Sequence, residues 1–231
     1  MKQGRVIVDG IPATIGQKVD AATAVVMIDA IRLPVRPDAV HYLLYKPVGV
    51  ISTTADELSR RVVTDLVPAT PPVYPVGRLD ADSEGLLILT NDGDLTHHLT
   101  HPRFGVTKTY VALVSGRLKP PQAKQLEAGI LLDDGPAAAT AARIIDVGAQ
   151  GTLLEVVMTE GRNREVRRMV AALGHEVVRL VRTAIGDLQD RDLQPGSWRP
   201  LTLPEIRRLY AIGSDNSQAW DNAADVEPEA Q

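Results

Sequence analysis

At 231 residues and 44% apolar composition, the chain suits one large domain, or a main domain with a small companion, and has enough apolar residues for a sizeable core. It contains no cysteine, which excludes disulfides, cysteine nucleophiles and thiolate metal sites and fits a reducing compartment. The formal net charge of −4 speaks against a nucleic-acid partner only at first sight. Residues 214–231 hold five acids and no Lys or Arg, so removing five from the 29 Asp and Glu leaves the remainder about neutral against 25 Lys and Arg.

No apolar run approaches the length of a membrane span, and MKQGRVIVDG at the start has no signal-peptide core, so no membrane partner is expected and the cytoplasm is the expected location. Residues 1–38 alternate short apolar runs with turn signals. Asp9–Gly10 between two such runs predicts a hairpin in a small β unit with too little apolar surface to stand alone. Pro34, Pro37 and Asp38 mark a boundary. HYLLYKPVGV (41–50) predicts a strand running into a Lys46–Pro47 turn, and VTDLV (63–67) a short helix. PATPPVYP (68–75) reads as a rigid, extended connection delivering the chain to an acid-rich turn at Asp80, Asp82 and Glu84.

The apolar run 86–89, bounded by that turn and by Asn91–Asp92–Gly93, predicts a buried strand, with the acids at the loop entering it. Residues 94–101 suggest a brief helix with Asp94 at or near its N-cap, stopped by Pro102. Residues 106–114 alternate as a strand, placing Lys108 and Tyr110 on one face. A helix at 120–129, a turn at 131–135, a strand pair at 138–147 and 152–158, and a helix at 163–173 closed by Gly174 follow. A strand at 176–182, a loop through Pro195–Gly196 and a helix at 204–212 complete the order. Strands outnumber helices and mostly connect by turns, which predicts an α+β fold with a mainly antiparallel sheet. The acidic tail at 214–231 reads as disordered.

Two metal readings fail on pattern. Asp80-x-Asp82-x-Glu84-Gly85 begins like a calcium loop, but its twelfth position would be Asn91 instead of a bidentate Glu. His97 and His101 would share a helix face, yet no HExxH pattern supplies the rest of a zinc site. Asp80 with Asp82 or Glu84 could form a hydrolase carboxylate pair, but spacing along the chain does not set a separation in space. EGRNREVRRMVAALGH (160–175) carries Arg164, Arg167 and Arg168 on one helix side, opposite Val166, Met169, Val170 and Leu173. The plain alternative is a solvated basic face; the functional one is a phosphate-binding surface, which Arg179 and Arg182 on the next strand would extend.

Four segments, YKPVGVIST (45–53), YPVGRLDADSEGLLILTNDG (74–93), HPRFGVTKTYVA (101–112) and EGRNREVRRMVAALGHEVVRLVRTAIG (160–186), occur in this order. Over roughly residues 41–210 they resemble the RsuA/RluB-type ribosomal RNA pseudouridine synthases. The resemblance implies a catalytic domain at 39–213, with a mainly antiparallel mixed sheet flanked by helices. It implies isomerisation of uridine to pseudouridine in ribosomal RNA, large subunit favoured over small, on a looped or incompletely assembled region, by a monomer. Asp80 matches the family aspartate, as nucleophile toward base or sugar. A carboxylate in a water-poor pocket needs a cation to stay ionised. The resemblance gives that role to Arg167, with Arg164 or Arg168 as alternates.

Tyr110 matches the tyrosine that stacks on the target base and helps remove the proton at carbon 5. Arg78 matches a residue holding the RNA open around a flipped base. Lys108, Lys46, Arg162, Arg164 and Arg168 are the further expected RNA contacts. No cofactor and no metal are implied. Residues 1–38 resemble the C-terminal half of the alpha-L RNA-binding module, without the two basic helices that normally precede it, through truncation or loss. Glu165 stands where the family more often has Gln, placing a negative charge beside the arginines. A catalytically silent RNA-binding or ribosome-assembly factor on the same scaffold is the alternative.

Overall fold

The computed structural model describes residues 5–19, 24–28, 31–33 and 38–213, so the expected acidic tail lies outside the described residues. The Asp9–Gly10 signal is realised as a hairpin. Both residues take positive φ, 50° and 82°, and fold β1 (Val6–Val8) back on β2 (Ile11–Pro12). With β3 (Val26–Ile28) and β4 (Ile31–Leu33) these make a four-stranded sheet of order β2-β1-β3-β4 over a small core of Val8, Ala24 and Val26.

The main body begins with β5 (His41–Lys46) and a 3₁₀ turn at Val63–Leu66, then β6 (Tyr74–Pro75) and β7 (Glu84–Thr90). The apolar run 86–89 is continuous because β7 is covered on both faces. Leu86 and Ile88 pack on one side with Leu43, Leu95 and Leu209, whereas Leu87 and Leu89 pack on the other with Leu44, Val63 and Val73. Next come α1 (Gly93–Thr100) and β8 (Lys108–Val114). Asp92, rather than the expected Asp94, caps α1, its side chain accepting from the N–H groups of Asp94 and Leu95.

Then follow α2 (Pro120–Ala128), the hairpin β9 (Ile130–Leu132) and β10 (Gly135–Ala137), and the pair β11 (Ala141–Gly148) and β12 (Gly151–Met158). α3 (Glu165–Ala172), β13 (Val177–Ile185), β14 (Leu188–Gln189), β15 (Trp198–Pro200) and α4 (Leu203–Ala211) close the chain. Among the described residues the strands form a nine-stranded sheet with the path β11-β12-β8-β13-β7-β5-β15, β14 and β6 branching from it. Pairing is antiparallel except where β13 runs parallel to β7. This is the expected α+β class with a mixed, mainly antiparallel sheet. β13 joins two halves. On one side α2 and α3 bury β8 and β12 around Leu126, Met169 and Val170; on the other α1 and α4 bury β5 and β7.

Candidate active site

The Asp80 turn is fixed through the backbone of every neighbour of the aspartate. The Ser52 hydroxyl donates to the Leu79 carbonyl at 2.8 Å and accepts from the Leu79 N–H at 3.1 Å. Gly49 N–H donates to the Ala81 carbonyl at 2.7 Å, and the Ser83 N–H closes the turn on the Asp80 carbonyl at 3.1 Å. Lys46 Nζ donates to the Ser83 carbonyl at 2.7 Å from beneath. The loop 46–52 is thus a cradle for the acid turn, which accounts for the adjacency of a Lys-Pro-x-Gly turn and an acid-rich turn in one protein. The Asp80 carboxylate itself is half-buried and accepts no hydrogen bond from a described residue.

From the opposite side, Arg164 grips the Asp82 carboxylate in a two-pronged contact at 2.9 and 2.8 Å. Arg167 donates to the Asp82 carbonyl and the Val177 carbonyl, each at 2.8 Å. Arg164 is not in the helix as expected. It is the N-cap of α3 in the left-handed region, φ 48°, which turns its side chain toward Asp82. Arg168 diverges from both. It binds Asp133 and Asp134 on the β9–β10 hairpin at 2.8 Å each. Arg162 also reaches that hairpin, at Asp134 and the Pro136 carbonyl, and receives Glu165 on its N–H and Nε at 3.0 Å each. The predicted basic face is therefore divided between two tasks, bracing the Asp82 turn and bracing the hairpin. Glu165, buried at 4% exposure, serves Arg162 and does not neutralise Arg167 or Arg168.

Between these braces lies a cavity of about 730 Å³. Asp80, Tyr110, Arg78, Lys108, Arg162 and Arg164 all line it, so six of the nine expected residues converge on one hollow. Arg167, Arg168 and Lys46 do not. Lys46 cannot meet RNA as expected, because its side chain is fully buried and spent on the carbonyls of Ser83 and Pro47. Burial pulls its ammonium down to about 8, against the attraction of Asp80, Asp82 and Glu84. Asp80 also interacts with Arg164, whose guanidinium is raised first by its hydrogen bonds to Asp82 and further by the two carboxylates' charge. The positive charge felt at Asp80 thus comes from Lys46 below and Arg164 beside, while Arg167 acts on the turn's backbone.

Arg182, which the sequence offered as an extension of a phosphate-binding surface, lines the cavity with 4% exposure. Arg179 pairs with Glu84 at 2.6 Å and holds that carboxyl low through the hydrogen bond. The three histidines at 97, 98 and 101 group with Phe104 as ring contacts, and no cluster of potential metal ligands occurs among the described residues.

A mixed sheet thus carries an acidic turn and a tyrosine-bearing strand that line one cavity. A crystal structure of a pseudouridylate synthase aligns with a TM-score of 0.69 and 28% identity, covering 90% of each chain. A profile of the RNA pseudouridylate synthases matches residues 40–172, and the chain belongs to that family. It is 40% identical to the ribosomal large subunit pseudouridine synthase B of Bacillus subtilis over 224 residues, 95% of this chain and 91% of the relative. It is 45% identical to an uncharacterized RNA pseudouridine synthase of Mycobacterium tuberculosis over 216 residues, 91% and 85% of the two chains. The protein is an isomerase that acts on RNA.

Proposed function

We propose that this enzyme converts a specific uridine of large-subunit ribosomal RNA to pseudouridine, with Asp80 as the attacking carboxylate. The relatives named as large-subunit synthases support the substrate, at 40% identity over nearly the whole chain and 44% over 174 residues. The observation that carries the role of Asp80 is its carboxylate, free of hydrogen bonds from described residues, in the same cavity as the Tyr110 ring.

The N1–C1′ bond breaks, the uracil turns and a C5–C1′ bond forms, and the bond that Asp80 makes to base or sugar is broken again on the way, returning a free carboxylate. The proton on carbon 5 leaves and N1 is protonated, so atoms and electrons balance without an oxidant or co-reactant. A base inside a duplex cannot reach the cavity, so the target nucleotide is flipped, at a cost of a few kcal/mol that stacking on Tyr110 helps offset. Lines of approach are set by Arg78, exposed at the cavity edge and suited to a phosphate. Looped or incompletely assembled RNA presents such a base most readily. We assign the N-terminal four-stranded sheet to an accessory, alpha-L-type RNA contact, and place the enzyme in the cytoplasm as a monomer.

The test is uridine isomerisation on unmodified ribosomal RNA, wild type beside Asp80→Asn. Loss of modification with RNA binding retained is expected. Equal activity in the two proteins would remove Asp80 from the mechanism, and binding without modification by the wild type would favour a silent assembly factor.

A further inference from the structure

One cation in the cavity takes part in none of the braces. On β13, Leu180 and Arg182 share a face, and a register shift between Arg182 and Ala184 follows them. Arg182 lies directly across from Tyr110 on β8, so its side chain stands beside the ring expected to carry the base. Its Nε donates to the Leu86 carbonyl at 2.6 Å, which fixes the guanidinium. Its Nη2 is buried and has no partner, and no carboxylate pairs with Arg182 among the described residues. Beside it, Lys108 is pulled below its ordinary value by burial and then by the charge of Arg182. A buried guanidinium without a counter-ion is costly, and a buried donor left unpaired calls for an explanation. Both are resolved if an acceptor oxygen arrives with the substrate.

We propose that Arg182 is a further substrate-contacting residue, whose free guanidinium N–H groups donate to a carbonyl oxygen of the uracil flipped into the cavity. This rests on the reading that the cavity receives the target uridine. The source of the oxygen is the base and not a phosphate, because Arg182 sits on the sheet floor among Tyr110, Met158 and Leu180, whereas Arg78 and Arg164 stand exposed toward solvent. A guanidinium is permanently charged and offers donors only. Uracil presents carbonyl acceptors at O2 and O4 to such a group; cytosine keeps O2 but carries an amine at position 4, which would meet Arg182 donor to donor where the contact is at that position.

The experiment measures tritium release from a large-subunit ribosomal RNA transcript labelled at carbon 5 of uridine, using wild type, Arg182→Met and Arg182→Lys. Thermal melting confirms folding, and RNA affinity is measured across a salt series. Arg182→Met is expected to lower kcat about a hundredfold, the scale of losing one well-placed donor. KM for RNA and the salt dependence of binding are expected to stay as in wild type. Arg182→Lys, which keeps a charged donor, is expected to recover part of kcat. A raised KM with a salt slope smaller by about one and unchanged kcat would assign Arg182 to a phosphate and overturn the proposal. Unchanged kinetics with only a lowered melting temperature, or failure of both variants to fold, would make Arg182 a structural brace and overturn it equally. An inactive wild type would take down the substrate reading as well, whereas an active wild type with indifferent variants takes down only the role of Arg182.

Discussion

Tyr210 on α4 donates its phenolic hydrogen to Asp92 Oδ2 at 2.7 Å, so the last helix is fastened to the N-cap of the first. His41 on β5 contacts the same oxygen at 3.2 Å. Burial alone would raise the Asp92 carboxyl, but the hydrogen bonds from His41, Tyr210 and Leu95 N–H outweigh it and hold the group at about 2. Three elements therefore converge on one buried anion.

Tyr210→Phe removes a single donor to that anion and is expected to cost about 1.5–3 kcal/mol in urea unfolding. The folded carboxyl titrates below the ordinary 3.8, so its contribution, roughly 2 kcal/mol, is complete above pH 4 and is lost as pH falls through 2. An acid-unfolding midpoint that does not move in Asp92→Asn would contradict this.

Lys46 follows the opposite sign. Its folded value near 8 lies below the ordinary 10.5, so the folded state sheds this proton first. The charged ammonium costs stability at neutral pH, and the cost is relieved as pH rises from about 8 to 10.5. Wild type is expected to gain stability relative to Lys46→Met across that interval, read from urea midpoints at each pH. A difference between the two proteins that stays flat from pH 7 to 10 would show that burial does not shift Lys46.

Gly85 enters β7 with φ +111°, and a Cβ there would lie 2.2 Å from the Arg182 carbonyl oxygen and 2.6 Å from its nitrogen. The close approach of β7 and β13 needs the missing side chain. Backbone strain and overpacking together put the cost of Gly85→Ala at about 3 kcal/mol or more. A melting temperature within a degree or two of wild type would show that the two strands can separate without penalty.

Arginines around the cleft should separate by what they already hold. Arg78 lines the cavity and is exposed, so Arg78→Ala is expected to weaken RNA binding and reduce the salt slope by about one. Arg168 is engaged by Asp133 and Asp134, and Arg168→Ala is expected to leave that slope unchanged. Filter binding at several salt concentrations distinguishes the two; equal slopes for both variants would contradict the division.

Local chemistry made much of this fold legible. Asp9–Gly10, the doubly covered run at 86–89, and the Pro and Gly that bracket α2 each encode their element within a few residues. The class of sheet followed from strands joined by turns. What escaped was long-range. The parallel pairing of β13 with β7 joins residues almost a hundred positions apart, and β15 is an edge strand whose Pro200 disguised it. At the site, Asp80, Tyr110 and Arg78 were found from the resemblance and do meet at one hollow. Arg164, Arg167 and Arg168 were read from helical spacing, but Arg164 is a left-handed N-cap outside the helix, and the three side chains reach different targets. Arg182 falls on the same every-second-residue face of β13 as Leu180 and Ala184, and that spacing was the available sign that it faces inward.

β13 lies between the strand that carries Tyr110 and the strand entered from Asp80. During synthesis both residues leave the ribosome long before the segment that zips them together. A polypeptide stopped short of residue 177 would own the acid, the ring and the arginine grip on the acid turn, yet lack the strand that joins β8 to β7. The sheet path from the ring's strand to the acid's strand is therefore continuous only once this nine-residue stretch has been made.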